Sequence, residues 1–370
     1  MTAAPEPDQD ESGLPQPGAP QPPMPDRRRQ FVAVAVTVVV LVVVFAGILP
    51  KFGNYAEAWD QITAMTSTQL VALGIAVVIS ILVYVLPFQA ALPGLGFGTA
   101  FMVRQTSFTI SNAVPAGGAV GLGVQYGMLA QAGFGGPPAT AAIGITSVFN
   151  LLVTLALPVL GVLALMVVGT PGSSEVLGAV GGLLAVGVMV AFFAAVLRSD
   201  GTARRLGGTV DRVVARVAGL LHRDPPAGIS DQLVAFRRST AEVISRRWAL
   251  LTATNFAQQF TQFGVLMVAL RVTEAGDATP VGVVAAFSAF ALARLASFVP
   301  VTPGGLGTVD AALTGLLVAF GASRSDALAA TLLWRAASWV PQVLLGVVTL
   351  VIWRIRHHGV PLRSSGVPAT

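Results

Sequence analysis

The chain has 370 residues, of which 54% are hydrophobic and only 11% charged, with a formal net charge of +5. A soluble domain carries about 25% charged residues, so this composition excludes a water-soluble fold. Cysteine is absent, which removes disulfide frameworks, thiolate zinc sites and iron–sulfur clusters together. The three histidines, His222, His357 and His358, all fall in basic, non-spanning segments, so neither a metal site nor a cofactor is expected.

Residues 1–30 hold eight of the 24 prolines and show no apolar period, the composition of a disordered tail. Arg27, Arg28 and Arg29 then precede the apolar run 31–49. This junction loosely resembles a twin-arginine export signal, but hydrophobic blocks continue along the chain, and a membrane anchor is the reading adopted.

Full-length spans are expected at 31–49, 68–92, 138–168, 176–197, 248–271 and 326–353. Each block can cross a hydrocarbon core about 30 Å thick at about 1.5 Å per residue. Two further apolar stretches, 97–134 and 281–321, are broken by Pro115-Ala116-Gly117-Gly118 and by Pro303-Gly304-Gly305. Proline removes a backbone donor and glycine loosens the helix, so each stretch predicts two half-helices meeting in a re-entrant hairpin. The fold class expected is all-α, a polytopic membrane helical bundle.

Charge placement orients it. With the N-terminus inside, the inner segments collect sixteen basic residues, ten of them between Arg198 and Arg247. The outer segments collect Lys51, Arg271 and Arg324 against Glu57, Asp60, Glu175, Glu274, Asp277 and Asp326. The positive-inside rule then places both termini and the segment 198–247 in the cytoplasm, with the chain multi-pass in the cell membrane. That segment reads as a solvated loop, although Gly208–Leu221 carries apolar residues at helical spacing and would also suit a membrane surface. The arginines follow topology and no folded basic domain surrounds them, so no nucleic-acid partner is expected.

The two broken stretches share an order of features: apolar lead-in, Pro, Gly-Gly, helix, Phe-Gly. The Phe-Gly pairs at 134 and 320 lie 186 residues apart and the glycine pairs 187 apart. Residues 31–168 and 176–355 therefore read as two transmembrane repeats, followed by a tail at 356–370. Under the charge-derived orientation the paired spans run in opposite directions, the inverted-repeat plan of many secondary transporters.

Only Arg104, Arg294, Arg335 and Asp310 remain at membrane depth. Such groups cost several kcal/mol unless paired or lining a polar cavity. Arg104 lies eleven residues before Pro115 and Arg294 nine before Pro303, roughly equivalent places in the two hairpins. Gly117-Gly118 and Gly304-Gly305 open the second half-helices, whose first N–H groups lack internal partners. Arginines converging on such donors suit an anion, and bidentate guanidinium suits phosphate. Other roles stay open: Arg335 and Asp310 as a structural ion pair, Arg104 snorkelling to headgroups, and the glycines serving helix packing. Asn255, Gln258, Gln259 and Gln262 recur at helical spacing, as a cavity stripe or as interhelical hydrogen bonds, and Asn150 is equally ambiguous.

The run VTPGGLGTVDAALTGLLVAFG, followed by LLWRAASWVPQVLLG, resembles the lysylphosphatidylglycerol synthase transmembrane-region family of flippase-like membrane proteins. The likeness covers roughly 31–355. It rests on Pro303-Gly304-Gly305-x-Gly307, on Asp310 where the family usually has Glu, and on Arg335-x-x-Ser338-Trp339-x-Pro341. In the first half the family tends to show Pro-Gly-x-x-Gly-Gly with a following Arg, then Arg-x-x-Asp; here the chain reads Pro115-Ala116-Gly117-Gly118 and Ser147-x-x-Asn150. The resemblance implies lipid translocation without catalysis. The expected substrate is an anionic, phosphate-bearing lipid, of phospholipid or polyprenyl-phosphate type, held by Arg104, Gly117, Gly118, Arg294, Gly304, Gly305, Asp310 and Arg335. The alternative is a non-catalytic subunit scaffolding a lipid-modifying enzyme or glycosyltransferase partner.

Overall fold

The computed structural model describes residues 55–113, 117–168, 199–220, 229–274, 280–298 and 306–356, with four further helical positions between 187 and 195. The expected spans 31–49 and, but for those positions, 176–197 lie outside the described residues, as do the two tails up to 54 and beyond 356. All described regular structure is helical: α1 (Tyr55–Thr63), α2 (Ser67–Val83), α3 (Leu86–Ala91), α4 (Phe97–Ala113), α5 (Gly117–Gln131) and α6 (Gly136–Val168). There follow α7 (Asp200–Leu220), α8 (Ile229–Thr273), α9 (Val283–Ala293) running into a 3-10 turn (Arg294–Phe298), α10 (Thr308–Ala319) and α11 (Arg324–Arg356).

Local chemistry sets the helix ends. Thr66 and Gln69 form a reciprocal capping box at the start of α2, each side chain accepting the other's backbone N–H. The helices α5 and α10 close alike. Gly133 and Gly321 take φ of +88° and +102°. Phe134 N–H then reaches the Leu129 carbonyl, and Ala322 N–H reaches that of Leu317, at 2.9 and 3.0 Å. These are Schellman closures, which need a left-handed residue after the last turn. They equate Gly133 with Gly321, whereas sequence matching paired Gly135 with Gly321; only the φ angles reveal which glycine carries the turn.

Among the described residues, three stretches are long and apolar enough to cross a membrane: Ser67–Ala91, Gly136–Met166 and Arg324–Arg356. Shorter apolar helices run Val283–Phe298 and Thr308–Ala319. Large apolar side chains stand exposed along them, among them Leu70, Val78 and Ile79 of α2 and Leu344, Val348 and Ile355 of α11. Such continuous apolar faces suit hydrocarbon, not water.

The expected span 248–271 sits inside α8, a single helix of 45 residues. At 1.5 Å per residue it is roughly 68 Å long, about twice a membrane core. Its first half therefore occupies much of what the sequence suggested was a solvated loop, and α7 packs along it. Deeper in, α8 is the central post, touching α2, α3, α6 and α11.

Both broken stretches form helical hairpins, α4 with α5 and α9 with α10. In the first, a Cβ on Gly117 would overlap the Ile110 carbonyl, and one on Gly121 the Ser111 hydroxyl, so these glycines allow the arms to touch. The hairpins then pack reciprocally. The arm α4 lies on α11, where Gly346 faces Thr109, whose hydroxyl donates to the Val343 carbonyl at 3.1 Å. The arm α9 lies on α6, where Ser288 donates to the Gly161 carbonyl at 2.7 Å. Each first arm thus seats against the long final helix of the other half, on a glycine that lets backbones approach. Two buried clusters fill the interior, one around Leu266, Phe290, Leu313 and Trp334, the other around Phe88, Val103, Met128 and Leu251.

Candidate anion site on the second hairpin

Asp310 occupies the first turn of α10 and is 1% exposed. One carboxylate oxygen accepts the Gly307 N–H at 2.8 Å and the other accepts Arg335 Nε–H at 2.6 Å. Gly307, at φ +84°, supplies the left-handed turn that aims its N–H back at the carboxylate. The pair anticipated in sequence as a structural ion pair therefore exists, joined to a helix cap.

It does not neutralise the site. The last helical turn before the Pro303 break brings in Arg294, within electrostatic range of Arg335. Its guanidinium lies 5.8 Å from the Phe290 ring, Phe290 meets Trp334 edge-on at 6.0 Å, and the Arg335 guanidinium lies 4.8 Å from the Trp334 ring. Two cations thus flank one aromatic pair, and the one carboxylate beside them pairs with Arg335 alone. Two guanidinium nitrogens, Arg294 Nε and Arg335 Nη2, are buried without a hydrogen-bond partner among the described residues. The same holds for Ser338 Oγ, Trp339 Nε1 and Gln342 Oε1. Residues 335, 338, 339 and 342 follow the i, i+3, i+4, i+7 spacing of one helix face. Buried polar atoms are normally satisfied; Arg335, Ser338 and Trp339 present unpaired donors on this face beside an excess positive charge, with Gln342 Oε1 an unpaired acceptor at its end, so its donors are built to receive an acceptor.

The other expected site residues are distributed differently. Arg104 lies against the rings of Tyr84 and Phe88, its guanidinium 4.4 and 5.6 Å from their centres, and its Nε is buried without a partner. Among the described residues no hydrogen bond or ion pair joins it to the Asp310–Arg335 cluster. Gly117 is accounted for by packing against Ile110, while Gly118 is exposed with open space around it. Gly304 and Gly305 lie outside the described residues.

Two residues of the polar stripe of α8, Gln259 and Gln262, are bonded between helices. Gln262 donates to Ser80 Oγ at 3.0 Å, Gln259 to Asn150 Oδ1 at 3.4 Å, and the Gln262 carbonyl accepts Trp334 Nε1–H at 3.1 Å. The sequence singles out Arg335 by its charge and marks Ser338 and Trp339 only as part of the family-like motif, not as site residues; Gln342 it leaves unmarked, and helical spacing after Arg335 is the signal that would have found it.

Among curated proteins the chain finds no match. The family model described as "Lysylphosphatidylglycerol synthase TM region" matches residues 30–346, most of the chain and every residue of the site above. With its helical architecture, apolar spans and buried arginine cluster, the chain belongs to the lysylphosphatidylglycerol synthase transmembrane-region family.

Proposed function

We propose that this protein is a carrier of flippase-like type that moves an anionic, phosphate-bearing lipid between leaflets by alternating access. One observation carries the reading: at membrane depth Arg335 is paired with Asp310 while Arg294 beside it has no ion-pair partner among the described residues, and both keep buried nitrogens without a hydrogen-bond partner there. A phosphate would take those donors and balance the surplus charge. Ser338 and Trp339 add neutral donors on the same face. The headgroup then sits where α9, α10 and α11 meet, with its acyl chains along the apolar outer faces. Arg104, between Tyr84 and Phe88, is a second cation on the first hairpin, suited to the same headgroup in the opposite half of a transport cycle.

The reciprocal seating of the hairpins, α4 on α11 and α9 on α6, and the paired Schellman glycines support an inverted repeat with re-entrant hairpins. In this reading the two seats are where rocking occurs, the ends of the chain and α7 are cytoplasmic, and the cell membrane houses the protein. No step requires catalysis; lipid, not a covalent intermediate, is the cargo.

The test is leaflet-resolved lipid movement in proteoliposomes, using phosphatidylglycerol and a polyprenyl phosphate. Arg294→Gln should slow movement, and absence of movement of either lipid by the wild type refutes the carrier. A second reading draws on the projection of α8 with α7 packed along it, a platform for a lipid-modifying enzyme. Under that reading Arg294→Gln leaves function intact, while substitutions on α7 abolish it.

A further inference from the structure

A proline inside a helix has no N–H to give, and its ring presses on the carbonyl four residues back. Pro341 stands inside α11, the long helix that both hairpins touch, and leaves the Ala337 carbonyl without its helical donor. We infer that α11 is jointed at Pro341, and that the segment beyond it carries the first hairpin, with Arg104, as one body relative to Arg294 and Arg335. The use made of the joint rests on the carrier reading above: bending there presents the two cationic places to the headgroup in turn.

The ties of α11 divide at that proline. Before it, Trp334 Nε1 donates to the Gln262 carbonyl of α8 at 3.1 Å, Arg335 pairs with Asp310 of α10, and Trp334 meets Phe290 of α9 edge-on. Beyond it the partners belong to the first hairpin. Thr109 Oγ1 donates to the Gln342 and Val343 carbonyls at 3.3 and 3.1 Å, and the Thr106 and Thr349 hydroxyls lie 3.0 Å apart. Trp353 Nε1 donates to Gln131 Oε1 of α5 at 2.5 Å, and Gly346 lets the Gln105 backbone close on α11. All of these ties to α4 and α5 fall at 342–353, and α4 packs chiefly on α11 and on its own partner α5.

The joint also holds polar atoms that this arrangement leaves unsatisfied. Gln105 is 0% exposed, yet its side-chain oxygen and nitrogen are both buried without a hydrogen-bond partner among the described residues. Gln342 Oε1, one residue past the proline, is in the same condition. Buried amides are normally bonded, so these two mark one arrangement of a pair, the other of which supplies their partners. The helix α6 repeats the order of parts. Gln259 of α8 ties to Asn150, Pro158 follows eight residues on, and Gly161, the seat of α9, comes three after it. In α11 the tie at Trp334 precedes Pro341 by seven residues and Gly346 comes five after. The last long helix of each half thus has a proline between its tie to α8 and its glycine seat.

The experiment measures distances by double electron–electron resonance on the full chain, in vesicles of phosphatidylcholine alone or with phosphatidylglycerol. Spin labels go on introduced cysteines, since the chain has none. Val120→Cys on α5 with Val348→Cys on α11 lies on one side of the joint, and Val120→Cys with Val283→Cys on α9 spans it; all three positions are exposed. The first pair should give one distance in both vesicles. The spanning pair should give two, or one that shifts with phosphatidylglycerol, because a change of about 20° swings a lever about 15 Å long by about 5 Å. Pro341→Ala restores the donor to the Ala337 carbonyl and should reduce the spanning pair to a single distance. One unshifting distance for the spanning pair in wild type, or two that persist in Pro341→Ala, overturns the joint. Movement within the first pair does the same, since α5 would then slide on α11. A wild type whose spanning distance changes but which moves neither phosphatidylglycerol nor a polyprenyl phosphate supports the joint and overturns the carrier reading alone.

Discussion

Asp310 and Arg335 are bound through one carboxylate oxygen and Nε, while the other oxygen of Asp310 caps its own helix through Gly307. One buried side chain therefore holds together the turn, the start of α10 and the middle of α11. The arrangement predicts a strong dependence of folding on that carboxylate. Asp310→Asn leaves Arg335 without its ion-pair partner and should destabilise by about 3–5 kcal/mol. Thermal unfolding in detergent measures it, and adding Arg335→Gln to Asp310→Asn should recover part of the loss.

Arg294 has no ion-pair partner among the described residues. Arg294→Gln should therefore separate function from stability, lowering lipid movement about tenfold or more while leaving unfolding temperature unchanged or raised, since an uncompensated buried charge is removed. Parallel loss of stability and transport would show that Arg294 is a structural residue.

The two glycine seats differ in tightness. A Cβ at Gly346 would overlap Thr109 Oγ1 and the Gln105 carbonyl, and backbone cannot yield as a side chain can. At Gly161 the nearest atoms are Ala291 Cβ and Ser288 Cα, both 3.1 Å away. Gly346→Ala should cost about 1–3 kcal/mol and Gly161→Ala less, a ranking readable by thermal unfolding of the two variants.

Because the chain has no cysteine, introduced pairs report without background. The hydroxyls of Thr106 and Thr349 are 3.0 Å apart across α4 and α11. Thr106→Cys with Thr349→Cys should cross-link under mild oxidation, seen as a reduction-sensitive gel shift. If α4 moves on α11 during transport, the cross-linked protein should stop and reduction should restart it.

Orientation is checked with single cysteines at two exposed positions, Arg212 on α7 and Arg324 at the start of α11. An impermeant thiol reagent added to intact cells should label Arg324→Cys, while Arg212→Cys should react only after the membrane is opened. The reverse pattern would invert the topology.

Much of this protein is legible in its composition. Charge is so costly at membrane depth that the four ionisable residues left there, Arg104, Arg294, Arg335 and Asp310, stand out from the amino-acid order alone, and three of them prove to be neighbours. The hairpins α4/α5 and α9/α10 are legible for a similar reason, since the proline and glycine breaks at 115–118 and 303–305 interrupt otherwise continuous apolar stretches. The span of α8 is legible too, but not its extension through 229–247, where alternating charges look the same on a solvated loop and on an exposed helix.

Helix contacts are not legible. In a membrane, lipid-facing and protein-facing surfaces are both apolar, so hydropathy does not say which side of α11 meets α4 or which side of α6 meets α9. Sequence spacing suggests that Arg104 and Arg294 are equivalent; packing sets Arg104 between Tyr84 and Phe88 and sets Arg294 beside Arg335. The sequence by itself thus determined that the chain is a helical membrane protein with two broken stretches and a buried cationic excess. Only the tertiary structure decided which arginines share a site, and that Ser338, Trp339 and Gln342 carry unpaired atoms on the Arg335 face, because partnership between polar groups is a property of distance and not of spacing along the chain.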